Sequence, residues 1–311
     1  MSATTESPEV YEDEEKKPDP TGILAGRLGG LATVRSPRDC DEPILSASVR
    51  QALFAWMKEI QFSDDLEAVG VKPRTKTMLF GPPGCGKTTL AHHFAARLGV
   101  PMVVVGPENL YGSLLGEGER YIAKLFDTLT FLGQPCVLFI DEIDTLGANR
   151  NKFKNGGADN GRQSMMTVLL RRVEEYPGYV FGATNRRDDI DPALWRRFNM
   201  QIEIDLPGED ERYAILKRYL MPVSVSDSDM EILTEATEGA SPALLKELME
   251  GVKRSHVVRS KLRLPIETAA QVFAPVVNSM QPPSEMPTPL LWRGEAGVAI
   301  LRRMEWKPVL P

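Results

Sequence analysis

The apolar run Thr77-Met-Leu-Phe80 leads directly into Gly81-Pro-Pro-Gly-Cys-Gly-Lys-Thr-Thr89, and then into a helix-forming stretch. A strand, a G-x-x-x-x-G-K-T loop and a helix, in that order, leave few folds open. Glycines at 81, 84 and 86 let the backbone turn tightly and aim its N–H groups at one anion. Lys87 can reach terminal phosphates, the Thr88 hydroxyl can ligate Mg²⁺, and the new helix adds the positive end of its dipole. The whole loop (Gly81, Pro82, Pro83, Gly84, Cys85, Gly86, Lys87, Thr88 and Thr89) is therefore expected to cradle a nucleoside triphosphate.

The rest of the chain supports such a fold. Residues 1–20 are acidic and poor in apolar side chains, which predicts a disordered tail. Val49, Leu53 and Trp56 recur at helical spacing within 46–60. Apolar strands are then expected at 77–80, 101–106, 136–141, 179–185 and 201–206, with helices at 88–98, 117–130 and 164–175 between them. Continuous apolar strands alternating with amphipathic helices predict a parallel sheet covered on both faces, an α/β domain over 21–206. From 207 to 273 the pattern is helical only, with Ser226 a candidate cap and a last short helix near Pro265. The proline-rich stretch 274–311 reads as an extended tail whose Trp292 and Trp306 dock either on a partner or on the chain's own helical region.

Composition narrows the function. Acidic residues outnumber basic ones 43 to 37, which argues against a generally basic nucleic-acid binder. The three cysteines, Cys40, Cys85 and Cys136, form no C-x-x-C pair, so a reducing compartment is expected. There is no signal-like N-terminus and no uncharged apolar run of about 18 residues, and the expectation is a soluble cytoplasmic protein without a membrane segment.

Further candidates follow the loop. The strand Cys136-Val-Leu-Phe-Ile140 ends in Asp141-Glu142, at the sheet edge where ligands bind. Asp141 can hold Mg²⁺ through its water shell, and Glu142 is the natural general base for an attacking water. Asn185 closes the strand Val180-Phe-Gly-Ala-Thr184, and its neutral amide can hydrogen-bond a γ-phosphate or orient that water. Arg196 and Arg197, in Asp191-Pro-Ala-Leu-Trp-Arg-Arg-Phe198, can reach a neighbouring subunit's nucleotide and neutralise charge on the transferring group; the less favoured alternative is a plain surface pair.

Together these residues resemble the AAA+ ATPases. Gly81 to Thr89, Val137 to Asp144, Ala183-Thr-Asn185 and Asp191 to Phe198 look like the family's two Walker motifs, its first sensor and its arginine-finger segment, in the same order. The unbroken Trp-Arg-Arg-Phe is similar to the katanin-like branch and to small stand-alone bacterial or phage-type AAA ATPases. The resemblance implies a three-layer αβα P-loop NTPase fold followed by a helical lid. It also implies ATP and Mg²⁺ as ligands, and a homo-oligomer, a hexamer, in which Arg196 and Arg197 act in trans. Gly239-Ala-Ser-Pro-Ala243 takes the place of the segment near the adenosine, with Pro242 departing from the family's glycine, and Lys246 is either a second sensor or a surface lysine.

The resemblance places Leu114-Leu115 as a pore loop that grips a polypeptide, where the family usually has an aromatic residue. Tyr111 is a nearby substitute. The loop 148–163, with Arg150, Lys152 and Lys154, is either a mobile solvated loop or a basic annulus for an acidic peptide or a nucleic-acid backbone. His92 and His93 diverge by about 100° on a helix and so do not share one metal ion. The expected function is an ATP-driven motor that remodels or translocates a protein partner. The alternative is an ATP-dependent platform that loads a partner enzyme or binds nucleic acid without threading.

Overall fold

In the computed structural model the described residues are 21–110, 117–145, 157–263, 268–284 and 286–309. The chain enters through α1 (Thr21–Leu28), β1 (Thr33–Arg35), α2 (Ala47–Gln61) and α3 (Ser63–Ala68). Alternation follows: β2 (Lys76–Phe80), α4 (Lys87–Arg97), β3 (Met102–Val105), α5 (Pro107–Leu110), α6 (Glu117–Leu132) and β4 (Val137–Ile140). It continues through α7 (Gly157–Glu175), β5 (Tyr179–Thr184), α8 (Pro192–Trp195) and β6 (Met200–Glu203). Helices α9 (Glu209–Leu220), α10 (Asp227–Ala236), α11 (Pro242–Lys261), α12 (Ala269–Asn278) and α13 (Glu295–Leu301) complete the chain.

Six strands form one sheet in the order β1-β3-β4-β5-β2-β6. Strands β2 to β6 pair in parallel, as the apolar runs of the central ones predict; β6 at the edge alternates apolar and polar residues. The departure is β1, which pairs antiparallel with β3 at the sheet edge. Its three residues, Thr33-Val-Arg35, are never fully buried and carry no apolar run to announce a strand. Along β4 the side chains alternate between two cores: Leu138 and Ile140 face α1, α6 and α7, whereas Val137 and Phe139 face α2 and α4. On the second face Trp56 stacks on Phe94 with ring centroids 4.0 Å apart, and its indole N–H donates to the Arg74 carbonyl at 2.7 Å.

The strand order places the functional ends. β2 lies between β5 and β6 although it precedes both, so the chain crosses over at that point. Ligands bind in the crevice above such a reversal. The pairs Phe80↔Thr184 and Ile140↔Gly182 bring the ends of β2, β5 and β4 side by side.

The helices from α9 onward share a third core. Ser226 caps α10 through the Asp229 N–H at 3.1 Å, and Ser241 caps α11 through the Leu244 N–H at 3.3 Å. The stretch expected to be an extended tail is instead part of this core. Trp306 is buried edge-on to Phe273 at 5.0 Å, Trp292 donates to the Met280 carbonyl at 3.2 Å, and Val309 bridges to Ser224. The buried Asp229 carboxylate holds the returning backbone, accepting from Glu305 N at 2.9 Å and Trp306 N at 3.1 Å. Prolines disguised this region: Pro275 sits inside α12, and the others punctuate short turns between apolar anchors. Among the described residues no helix is long and apolar enough to cross a membrane.

Candidate active site

Above the ends of β2, β4 and β5 lies a cavity of about 410 Å³, lined by the 83–89 loop, Asp141, Glu142 and Asn185. The loop owes its shape to glycine. Gly81 has φ 140°, and a Cβ there would stand 2.1 Å from the Ile204 carbonyl oxygen. Gly86, at φ 91°, turns the chain into the first residue of α4. Lys87, that first residue, is only 8% exposed, and its Nζ donates to the Gly81 and Pro82 carbonyls at 2.8 Å each. Burial holds its pKa down, while Cys85, Asp141 and Asp144 pull it back up.

The acidic side comes from the end of β4. Burial raises the Asp141 pKa, opposed by the Glu142 N–H, which donates to its Oδ1 at 3.0 Å, and by Lys87. Glu142 adopts φ 46°, a region that costs non-glycine residues about 1–3 kcal/mol. That turn is held by Thr145, whose N–H and hydroxyl donate to the Glu142 carbonyl at 2.9 and 2.8 Å. It separates the two carboxylates: Glu142 is exposed, whereas Asp141 is half-buried beside Lys87. One Asp144 oxygen is buried with no hydrogen-bond partner, within electrostatic reach of Lys87 and Asp141. A buried ammonium, a loop of turned amides and an unsatisfied carboxylate at one cavity fit a phosphate chain with a divalent cation. Thr88 and Asp141 are the residues here that would hold that cation.

The other candidates fall elsewhere. Arg196 and Arg197 follow α8, are exposed, and do not line the cavity of their own chain; Arg197 pairs with Glu174 on α7 at 3.1 Å. Leu114, Leu115 and Tyr111 lie outside the described residues, as do Arg150, Lys152 and Lys154. His92 is buried with Nε2 at 2.8 Å from the Ser36 carbonyl, and His93 accepts from Arg97 at 3.5 Å.

Several lining groups carried no motif. Residues 41–45 form one wall, and Ile215, Arg218 and Tyr219 of α9 another, with Arg218 donating to the Glu42 carbonyl. Lys246 lines the same cavity with its Nζ 5.4 Å from the Tyr219 ring centre. The start of α11 touches the loop itself: the Ala243 N–H donates to the Gly84 carbonyl at 3.1 Å. Only the i, i+4 spacing of Ile215 and Tyr219 hinted that α9 presents two of these side chains to one side.

Comparison with known proteins agrees with this geometry. The ATPase family associated with various cellular activities (AAA) matches residues 77–206. A proteasome-activating nucleotidase of Thermococcus onnurineus is 38% identical over 185 residues, 58% of this chain and 46% of that protein. The Methanopyrus kandleri proteasome-activating nucleotidase is 36% identical over 209 residues, 65% of this chain and 48% of its own length. An uncharacterized AAA family ATPase of Sinorhizobium fredii is 37% identical over 166 residues, 53% of this chain and 49% of that one. The chain spans about half the length of the curated relatives it matches. The parallel strands, the glycine loop and the paired carboxylates thus belong to an AAA ATPase domain, which this chain carries across residues 77–206.

Proposed function

We propose that the chain binds ATP with Mg²⁺ and hydrolyses it as a homo-oligomer, a hexamer by family resemblance, to remodel or translocate a protein partner. The observation that carries this reading is the split between a cavity holding Lys87, Asp141, Glu142 and Asn185 and an exposed Arg196–Arg197 pair outside it. A site of that kind is completed by a second copy. In this reading Lys87 and the loop amides hold the phosphates, and Glu142 takes a proton from the water that attacks the γ-phosphorus. Asn185 orients that water, and the neighbour's Arg196 and Arg197 offset charge on the phosphoryl group as it passes to water, while its bond to the bridging oxygen breaks and ADP leaves. Mg²⁺, held through Thr88 and Asp141, would neutralise the phosphate oxygens. The names of the nucleotidase relatives, which refer to a proteasome, support a protein as the target. Three free cysteines suit a reducing cytoplasmic setting.

Lys87→Ala should lose nucleotide binding. Glu142→Gln should still bind ATP but slow single-turnover hydrolysis by about 10²-fold or more. Unchanged turnover in the pure Glu142→Gln protein would refute the assignment. The absence of an aromatic residue at Leu114-Leu115 keeps the platform reading in play. Stimulation of ATPase by DNA or RNA but not by polypeptides would decide for it.

A further inference from the structure

Arg196 and Arg197 stand exposed between two buried anchors, Leu194 and Phe198, which belong to the core under α1, α6 and α7. They follow α8, a helix of only four residues. A helix that short does not hold itself, so contacts with the rest of the fold decide where it points. Phe198 fixes the far end against β5, where a Cβ on Gly182 would stand 3.0 Å from its ring. The near end is Trp195, the last residue of α8, which is half-buried. Its indole meets the Phe80 ring edge-on, with centroids 5.4 Å apart and planes at 65°. The guanidinium of Arg187 covers both rings, 5.1 Å from the Phe80 centre and 5.2 Å from that of Trp195.

Both partners of Trp195 are themselves fixed. Phe80 ends β2 between Thr184 of β5 and Glu203 of β6, directly before Gly81. Arg187 opens a single turn, Arg187–Asp189, two residues after Asn185. The Thr184 hydroxyl accepts from the Arg186 N–H at 2.9 Å, and the N–H of buried Ile190 donates to the Arg187 carbonyl at 3.2 Å. A guanidinium over an indole is attracted by the ring's electron-rich face and covers apolar surface that would otherwise be wet. We infer that Arg187 and Trp195 are positioning residues for the neighbouring subunit's reaction: Arg187 clamps the Trp195 indole onto Phe80, and the clamp sets the direction in which Arg196 and Arg197 leave the subunit. This role rests on the two-subunit reading above and falls to two residues that do not line the cavity. Asn185 and Arg187, so close in the chain, thus serve different active sites. The amide acts in its own cavity, and the guanidinium acts in the neighbour's through Trp195. Charge on a transferring phosphoryl group is offset only by a cation held in place, and a misplacement of about 1 Å can cost about 10²-fold in rate.

The test is single-turnover ATP hydrolysis by variants of the full chain, alone and in mixtures. Arg187→Ala should slow hydrolysis by about tenfold or more while keeping the affinity for a fluorescent ATP analogue within about twofold of wild type. Its own base is intact, and only the arginines it presents are misdirected. Mixed with Glu142→Gln, whose arginines are correctly held, it should therefore regain hydrolysis. Mixed with Arg196→Ala/Arg197→Ala, which offers no arginines, it should stay slow. Trp195→Leu, which keeps apolar bulk but loses the ring, should show the same one-sided rescue. Arg187→Lys, which keeps a cation over the rings, should stay within about threefold of wild type. Melting curves identify the folded variants; should Trp195→Leu unfold, the exposed Arg187→Ala still decides. Wild-type hydrolysis by Arg187→Ala, any pattern of rescue other than by Glu142→Gln alone, or a folded Trp195→Leu with full activity overturns the clamp. An impaired double arginine variant in the same experiment leaves the two-subunit reading standing, whereas wild-type turnover by that variant overturns both.

Discussion

Gly81 has no room for a side chain: the φ of 140° excludes one, and the Ile204 carbonyl occupies its place. Gly81→Ala should therefore cost about 2 kcal/mol or more of stability and weaken nucleotide binding together, read by melting and by titration of a fluorescent nucleotide. A variant with wild-type melting would show that the loop relaxes freely. Lys76, at the start of the same strand, is also buried, with Nζ donating to the Tyr176 and Gly178 carbonyls at 2.6 Å each. Burial pulls its pKa from 10.5 to about 8. The folded chain thus binds fewer protons than the unfolded chain between those values, so stability gains as pH rises through that window. The melting temperature of wild type should accordingly gain on Lys76→Met between pH 8 and 10; a constant difference would mean the ammonium carries no burial penalty. Position by position, the cavity residues proposed to bind the nucleotide were legible because phosphate chemistry demands particular residue types at fixed spacing. Residues 41–45, Arg218 and Tyr219 were not, since a cavity wall requires only shape and proximity.

Elements were legible in proportion to the regularity of their burial. The central parallel strands, covered on both faces, read as apolar runs; β6 at one edge alternates buried and exposed residues, and β1 at the other edge carried no apolar run at all. The C-terminal stretch misled for a different reason. Its apolar anchors Leu291, Leu301, Met304 and Trp306 are separated by prolines and turns, so no period links them, yet all four enter the helical core. Trp306→Ala should cost about 3–5 kcal/mol and lower the melting temperature of that unit. Asp229→Ala should act in the same direction by freeing the backbone of Glu305 and Trp306. If removal of residues 304–311 left stability unchanged, the segment would be the dispensable tail that its prolines suggest.

At the scale of the whole molecule, the groups proposed to be catalytic do not meet within one chain. Lys87, Asp141, Glu142 and Asn185 share a cavity, while Arg196 and Arg197 stand exposed beyond α8, with Arg197 resting on Glu174. The helical unit lines the cavity through Ala243, Tyr219 and Lys246 and is bonded to the glycine loop, so the proposed nucleotide site couples sheet and helices within one chain. The central claim is that the active site belongs to two subunits. Its most direct test is single-turnover ATP hydrolysis by two variants measured alone and mixed: Glu142→Gln, which keeps the arginines, and Arg196→Ala/Arg197→Ala, which keeps the base. Each alone should be nearly inactive, and mixing should restore hydrolysis at junctions where intact arginines face an intact Glu142. Wild-type turnover by the double arginine variant, or a mixture no more active than its components, would contradict the account.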